Sequence, residues 1–212
     1  MPLIEKLDAI IRPHFVRPHG LVGHLAGCEM ALRPSNRKRN RWAVDLLDVQ
    51  SRDRVLEIGF GPGLAIRDLA RRATDGIVVG MDHSDVMVRQ ATRRNRAAVR
   101  AGRVELRRAS VVDLRTPNLL FDKVLVVNNF GMWPNPRSGL QDVLRALHPG
   151  GRVAIVSQPR GAGANATAAD QASLETVERL QEAGFANARR RTLHLRPPVV
   201  CVLAEAPVQL NE

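Results

Sequence analysis

A glycine-rich loop that follows a short apolar segment is the feature with which any fold of this chain must agree. Residues 55–58 are apolar except for Glu57, and Gly59, Gly61 and Gly63 follow at alternate positions. Glycines allow a backbone to approach a ligand closely and to adopt conformations that other residues avoid. Apolar residues at helical spacing begin directly afterwards, so residues 64–72 are predicted to form a helix. The segment therefore predicts a strand, a ligand-binding loop and a helix in that order.

The segments around this loop alternate between strand and helix patterns. Further strands are predicted at 76–81, 104–107, 121–127 and 152–157, and further helices over 84–100, 138–147 and 170–183. Strands separated by helices form parallel crossovers, which is typical of a doubly wound sheet. The last two predicted strands, 187–195 and 199–204, have only a short link through Pro197 and Pro198, which favours an antiparallel hairpin at one edge.

The first 50 residues have a different pattern, with three helical segments and no strand. Helices are predicted over 3–11 and 21–32, and Ser35 or Asn36 can cap a third. The prediction is therefore an α/β protein with a doubly wound, mostly parallel sheet of about seven strands and a C-terminal antiparallel hairpin. Residues 1–50 are an N-terminal helical extension or cap, and residues 51–208 are the binding domain.

Composition and charge limit the classes of partner. The formal net charge is +11, which suggests an anionic partner such as nucleic acid. However, the basic residues are mostly Arg and are spread along the chain, a usage typical of a GC-rich bacterial genome, and aromatic residues are only 3%. No segment approaches the roughly 18 apolar residues of a membrane span. Cys28 and Cys201 fit no CxxC pattern, which favours free thiols in the cytoplasm.

Two acidic residues indicate the chemistry of the ligand. Glu57 lies at the end of the first strand, where it would repel a pyrophosphate but suit an ammonium group. The dinucleotide fingerprint requires glycine where this chain has Leu64, which disfavours an NAD-linked oxidoreductase. Asp82 ends the second strand, where a carboxylate can accept both hydroxyls of a ribose. These residues predict a ligand with an adenosine-like sugar and a cationic amino group.

Four motifs together resemble the class I S-adenosylmethionine-dependent methyltransferases over about residues 40–205. They are DRVLEIGFGPG (53–63), VVGMDHS (78–84), FDKVLVVN (121–128) and LHPGGRVAIV (147–156). The resemblance implies S-adenosylmethionine as cofactor and S-adenosylhomocysteine as product. It also implies roles for the matching residues. Glu57, Gly59, Gly61 and Gly63 match the loop beneath the methionine part of the cofactor, and Asn128 matches a position beside it. Asp82 matches the acid that binds the ribose. His83 matches an adenine contact, and Ser110 and Val111 match the positions at the adenine edge.

The sequence departs from the family pattern at Ser110, where the family commonly has Asp to accept a bond from the adenine amine. A serine hydroxyl can still accept that bond, more weakly. Each assigned residue also has a purely structural alternative: a loop hydroxyl for Ser110, a surface position for His83 and a turn residue for Asn128. For Glu57 the alternative is a charge near a helix N-terminus, and for Asp82 a helix cap.

The acceptor pocket is expected from segments that overhang the strand ends. These are the N-terminal helices, the loop after the fourth strand with Asn129 and Trp133, and residues 158–170, whose small residues suit a lid. His24 is the candidate general base, with a packing or surface histidine as the alternative. His14, His19 and His24 are spaced by five residues, which is wrong for one helical face, so no metal site is expected.

The predicted function is methyl transfer to a small molecule, for example a hydroxyl of a sugar, polyketide or lipid-like metabolite. A nucleic-acid methyltransferase is the first alternative, favoured by the charge. It is disfavoured because residues 128–131 read Asn-Asn-Phe-Gly and do not resemble the Asn/Asp-Pro-Pro-aromatic motif of enzymes that methylate the exocyclic amines of bases. A non-catalytic domain that only binds S-adenosylmethionine is the second alternative.

Overall fold

A computed structural model of the chain describes residues 20–114, 120–161 and 163–208. The helix predicted over residues 3–11, with His14 and His19, lies outside the described residues. The helices are α1 (Gly20–Leu32), α2 (Pro34–Leu47), α3 (Leu64–Arg72), α4 (Asp85–Arg94), α5 (Arg96–Arg100), α6 (Pro136–Ala146) and α7 (Ala166–Glu182). The strands are β1 (Arg54–Ile58), β2 (Ile77–Asp82), β3 (Val104–Arg108), β4 (Phe121–Val127), β5 (Leu147–Ser157), β6 (Ala186–Leu193) and β7 (Val199–Glu205). Short 3₁₀ turns span Val111–Asp113 and Phe130–Met132.

The seven strands form one sheet in the order β3-β2-β1-β4-β5-β7-β6. Strands β1 to β5 are parallel, and β7 pairs antiparallel with both β5 and β6. The predicted fold class, with its C-terminal hairpin, is confirmed. The winding reverses between β1 and β4, so the carboxyl ends of these two strands border the crevice in which open α/β sheets bind ligands.

Helices cover both faces of the sheet, and β1 shows how the chain divides between them. Val55 faces the core formed with α2, α3 and α4, whereas Leu56 and Ile58 face the core formed with α6 and α7. This alternation is the two-residue period of a strand. Each fully buried leucine such as Leu56 contributes about 1.5–3 kcal/mol relative to an exposed one. Both faces therefore hold the strand ends in fixed positions.

Three helix starts differ from those predicted. Helix α2 begins at Pro34 with Arg33 at the N-cap, so neither Ser35 nor Asn36 caps it. Helices α6 and α7 begin earlier than predicted, because Asn135 and Asn165 cap them with their side chains. The start of α7 places residues 166–170 of the expected lid in a helix.

The helix predicted from Ser84 to residue 100 is divided in two. Ser84 caps α4 as expected, its hydroxyl accepting from Met87 N–H, but α4 ends at Arg94. The side chain of Asn95 donates to the carbonyls of Gly63 and Ala91, at 3.1 and 2.9 Å. The break therefore ties the end of α4 to the glycine loop.

The two cysteines are free thiols, as predicted. Cys201 is buried in β7, and burial raises its pKa to about 12, which keeps the thiol protonated. In the part of the chain that the structure describes, no helix is long and apolar enough to cross a membrane.

Candidate functional site

The glycine loop connects β1 to α3 with three left-handed residues. Gly59, Gly61 and Gly63 have φ angles of +70°, +52° and +76°. A Cβ atom on Gly63 would lie 2.6 Å from Ala91 Cβ and 2.9 Å from Ala91 Cα, whereas a Cβ on Gly61 would meet nothing within 4 Å. The ends of the loop are therefore packed against protein, and its middle faces open space where a ligand can approach.

Glu57 lies beneath this loop and is 2% exposed. Burial raises its pKa well above the usual value, and the neighbouring carboxyls of Asp82 and Asp68 raise it further. A hydrogen bond from the backbone of Ile66 opposes this shift. The Oε2 atom of Glu57 is buried and has no hydrogen-bond partner among the described residues. A buried carboxyl with an open acceptor atom suits a cationic ligand group.

Asp82 connects the end of β2 to the loop and is 5% exposed. Its Oδ2 accepts from Gly61 N–H at 2.8 Å, and its Oδ1 accepts from Ser84 N–H at 2.9 Å. Burial raises the pKa of Asp82, and these two bonds oppose the shift. Each oxygen of a carboxylate can accept a second hydrogen bond, so Asp82 can also accept from ribose hydroxyls. The neighbouring His83 ring is half-exposed, with Nδ1 3.8 Å from Asp82 Oδ1.

The turn after β3 brings a second acid to the predicted adenine edge. Asp113 Oδ2 accepts from Ser110 N–H at 2.8 Å and lies 3.3 Å from Ser110 Oγ. Val111 is 3% exposed and packs into the core, so only its backbone can face a ligand. Sequence analysis did not single out Asp113, although Ser-x-x-Asp is a capping pattern. The acid that the family commonly has at the position of Ser110 is therefore present three residues later.

The loop after β4 is held by two asparagines. Asn128, with a φ of +56°, accepts from Gln158 N–H at 2.7 Å. Asn129 Nδ2 donates to the carbonyl of Ile58 at 2.7 Å, and its Oδ1 accepts from Trp133 Nε1 at 3.0 Å. Trp133 is 8% exposed and packs edge-on against Phe130. Asn129 and Trp133 thus lie in the expected loop, but their polar atoms already bind the chain itself.

His24 lies on α1 and contacts α4. Its Nδ1 is 3.0 Å from Nε2 of Gln90, which also donates to the His24 carbonyl at 2.8 Å. Because the amide nitrogen is a donor, Nδ1 must accept, and the neutral ring then carries its proton on Nε2. The described hydrogen bonds join His24 to α4 and not to the loop after β4.

Sequence analysis missed an arginine cluster between α2 and the loop after β5. Arg39 is 5% exposed and donates from Nη1 to Oε1 of Gln158 at 2.8 Å. Arg160, at the rim, donates from Nη2 to Asn36 Oδ1 at 2.9 Å. Burial lowers the pKa of Arg39 to about 9, with Arg160 adding to the shift. Arg39 and Gln158 are 119 positions apart in the sequence, so their contact could not be seen there. The basic residues before β1 were therefore interpreted as dispersed surface charge.

Two other features do not contribute to this site. A groove of about 580 Å³ lies between α7 and β6, lined in part by Leu174, Ala188 and Arg191, but it is at the outer edge of the sheet and away from the glycine loop. Among residues 20–114, 120–161 and 163–208, no group of three or more His, Cys, Asp or Glu side chains could hold a metal ion.

Comparison with known proteins gives consistent matches. The family model described as "Methyltransferase domain" matches residues 55–151. The uncharacterized methyltransferase YdaC of Bacillus subtilis is 32% identical over 184 residues, which cover 86% of this chain and 98% of YdaC. The ubiquinone/menaquinone biosynthesis C-methyltransferase UbiE of Geotalea daltonii is 28% identical over 59% of this chain and 54% of UbiE. The crystal structure of a SAM-dependent methyltransferase from Aquifex aeolicus has a TM-score of 0.70 at 17% identity, with 84% of this chain and 96% of that chain covered.

Proposed function

Because this chain belongs to the class I S-adenosylmethionine-dependent methyltransferases, we propose that it methylates a small-molecule acceptor, namely a hydroxyl group of a sugar, polyketide or lipid-like metabolite. The observation that carries the proposal is the short acceptor side. Residues 158–165 alone connect β5 to α7, so this connection holds no separate substrate domain. UbiE, a relative over part of its length, is named for quinone biosynthesis, which also favours a small acceptor.

The cofactor fits the residues at the end of β1 and β2. We place its ammonium group at the unpartnered Oε2 of Glu57, its ribose at Asp82 and its methionine part beside Gly61 and Asn128. The adenine then lies near His83 and the turn after β3, where the backbone at Val111 and the Ser110–Asp113 pair offer a donor and acceptors. Asp113 is the addition that the structure makes to the residues expected from the sequence.

The cofactor supplies a methyl carbon on a positively charged sulfur. Held by Glu57, Asp82 and Gly61, it would give this methyl group to the acceptor oxygen and leave as S-adenosylhomocysteine, while the acceptor proton would pass to a base or to water. The chain itself has to align the acceptor and exclude water. We further propose that residues 1–50 form a cap over the acceptor and that residues 51–208 form the catalytic domain. The proposed location of the protein is the cytoplasm.

The general base is the part with least structural support. His24 stays a prediction, because its Nδ1 accepts from Gln90 and its Nε2 then carries the proton. To act as a base, the ring would have to exchange the bond to Gln90 for one that leaves a nitrogen free.

The proposal is tested by transfer of a labelled methyl group from S-adenosylmethionine into a host extract separated into small-molecule, lipid, polysaccharide and RNA fractions. We expect nuclease-resistant label among metabolites, glycans or lipids. Label confined to RNA would instead support a nucleic-acid methyltransferase, to which the net charge of +11 points. Binding of the cofactor with no label in any fraction would favour the non-catalytic alternative.

A further inference from the structure

Helix α2 and the loop after β5 meet over the carboxyl ends of β4 and β5, and Arg39 lies between them. Gln158, which accepts from Arg39, also donates its backbone N–H to Asn128 at the end of β4. The side-chain amide of Gln158 in turn donates to the carbonyl of Pro197 at 2.9 Å. Arg39 is thus fixed two hydrogen bonds from the strand end at which we place the methyl donor.

The charge of Arg39 is not balanced within the described part of the chain. No carboxylate there forms an ion pair with it, and the neighbouring charge that affects its pKa is the cationic Arg160. The nearby Glu29 forms an ion pair with Arg33, and its charge also acts on the pKa of Arg160, which it raises. A buried charge without a partner costs several kcal/mol. Such a cost is expected where the charge binds a ligand.

The hydrogen bonds of Arg39 leave one edge of the guanidinium group available. Nη1 donates to Gln158, whereas Nε is buried and has no partner among the described residues. The Nε and Nη2 donors form the edge that binds carboxylate or phosphate through two parallel bonds. Because Nε is closed off from solvent, an anion reaches this edge only after side chains around Arg39 have moved.

We propose that Arg39, with Arg160 at the rim, binds a carboxylate or phosphate group of the methyl acceptor. This inference rests on the proposed small-molecule function and narrows the acceptor to an anionic metabolite. Arg39 holds the anion at a fixed position relative to Asn128, and Arg160 adds a second positive charge at the rim. The acceptor atom is then aligned by a contact remote from the reacting centre.

The first test separates the small-molecule fraction on an anion-exchange resin at neutral pH. The retained and unretained pools are each incubated with the protein and labelled S-adenosylmethionine. We expect label from the retained pool. Label only from the unretained pool overturns the inference while the proposed function stands. Label from neither pool also overturns the inference, and the proposed function is removed as well if the lipid and polysaccharide fractions are unlabelled. Treatment of the retained pool with phosphatase before the assay distinguishes the sources, because it abolishes labelling of a phosphate acceptor and not of a carboxylate.

The second test compares Arg39→Gln with Arg41→Gln in kinetics on the retained pool. Both variants remove one positive charge from α2, but Arg41 is exposed and has no described hydrogen bond or ion pair. We expect Arg39→Gln to raise the KM for the pool by about 10- to 100-fold, with unchanged affinity for S-adenosylhomocysteine, and Arg41→Gln to leave both values unchanged. Arg39→Lys keeps the charge but loses the two-bond geometry, and is expected to fall between them.

Thermal unfolding separates binding from a structural role. If Arg39 is kept for a ligand, Arg39→Gln leaves the thermal midpoint of the free protein unchanged or higher, since an unpaired buried charge is removed. A fall of many degrees shows instead that Arg39 stabilises the fold, through its bond to Gln158 or through a carboxylate of the chain itself, and overturns the inference. If Arg39→Gln does not fold, Arg160→Gln is measured in its place. An unchanged KM of Arg160→Gln for the retained pool would also overturn the inference.

Discussion

The two sides of the crevice carry buried ionisable groups of opposite type, acidic on one side and basic on the other. On the proposed cofactor side, Glu57 and Asp82 are buried carboxyls whose pKa values are raised mainly by burial. On the proposed acceptor side, Arg39 is a buried guanidinium whose pKa is lowered to about 9. Burial disfavours the charged form on both sides, so a ligand of opposite charge would relieve a cost on either. The arrangement suits a cationic cofactor beside an anionic acceptor.

The two sides differ in how far the chain satisfies its own polar groups. Both oxygens of Asp82 accept from backbone N–H groups of neighbouring loops. Arg39 has one bond to a side chain and a buried Nε without a described partner. The cofactor side is therefore preorganised by the backbone, whereas the acceptor side depends on side chains from two distant segments. We expect substitutions on the first side to affect stability and cofactor affinity, and those on the second to affect acceptor kinetics.

The largest expected effect comes from Gly63→Ala. The new Cβ would contact Ala91 too closely at a φ of +76°, and the combined overlap and backbone strain should lower the free energy of unfolding by about 3 kcal/mol. Gly61→Ala is the matched control at a similar φ, with nothing within 4 Å, and should cost about 1 kcal/mol. Because Gly61 faces open space, this variant should instead weaken binding of S-adenosylhomocysteine. Denaturant unfolding and calorimetry measure the two quantities, and equal losses of stability would contradict the described packing.

Asp82→Ala is expected to weaken cofactor binding by about 1–3 kcal/mol, as for lost charge-assisted hydrogen bonds. Asp82→Asn keeps one acceptor oxygen for Gly61 or Ser84 and separates the loss of charge from the loss of loop geometry. Titration calorimetry with S-adenosylhomocysteine gives the affinity. An unchanged affinity in a folded Asp82→Ala variant would exclude the proposed ribose position.

Glu57 gives the cofactor side a pH dependence whose sign is set by its raised pKa. The carboxyl remains protonated in the free protein above its ordinary pKa of 4.5 and should ionise when it meets the cofactor ammonium. Binding then releases a proton, so cofactor affinity rises with pH between the pKa of Glu57 in the complex and its raised pKa in the free protein. Calorimetry in two buffers with different heats of ionisation measures this release.

Glu57→Gln is the corresponding variant. It should reduce the proton release and weaken cofactor affinity at neutral pH by about tenfold or more, because a charge-assisted hydrogen bond to the ammonium group is lost. The stability of the free protein changes in the opposite direction. A carboxyl with a raised pKa stabilises the fold below its unfolded pKa of 4.5, and this contribution is lost as pH rises through the folded pKa. The variant should therefore be the more stable protein at neutral pH, and equal stability would argue against a buried neutral Glu57.

The cofactor side is built from residues close in the sequence and the acceptor side from distant ones. This difference explains which parts of the site could be predicted from the sequence. Glu57, the glycines and Asp82 lie in continuous motifs, because a strand, a tight loop and a helix form the cofactor side locally. Periodicity also predicted all seven described strands to within a few residues, apart from the start of β5, where residues 147–151 join the strand. Asparagine caps shifted the helix starts, since Asn135 and Asn165 do not disturb the apolar pattern by which helices were located.

The acceptor side could not be predicted in this way. Arg39 and Gln158 meet only after α2 has packed on β4 and β5. Helical spacing from Ala43 places Arg39 on the buried face of α2, but the sequence near Arg39 does not identify its partner. Asn129 and Trp133 were assigned to this side from their position after β4, but tertiary contacts direct their polar atoms to each other and to β1. Local sequence patterns thus predict the roles of residues that act with their sequence neighbours. The roles of residues such as Arg39 and Asn129 depend on long-range hydrogen bonds, which such patterns do not show.

His24→Gln is expected to have the smallest effect on the rate of methyl transfer. The result shows whether α1 takes part in the acceptor side of the crevice. The amide of Gln90 is oriented by its bond to the His24 carbonyl, so the exposed ring should present an N–H and no free lone pair. Initial rates with the methylated fraction should therefore fall by less than about tenfold, whereas loss of a general base costs about 100-fold or more. A loss of that size, together with disappearance of the acidic limb of the pH–rate profile, would establish His24 as the base. It would also show that α1 moves relative to α4 during turnover, because the bond to Gln90 has to break before the ring can accept a proton.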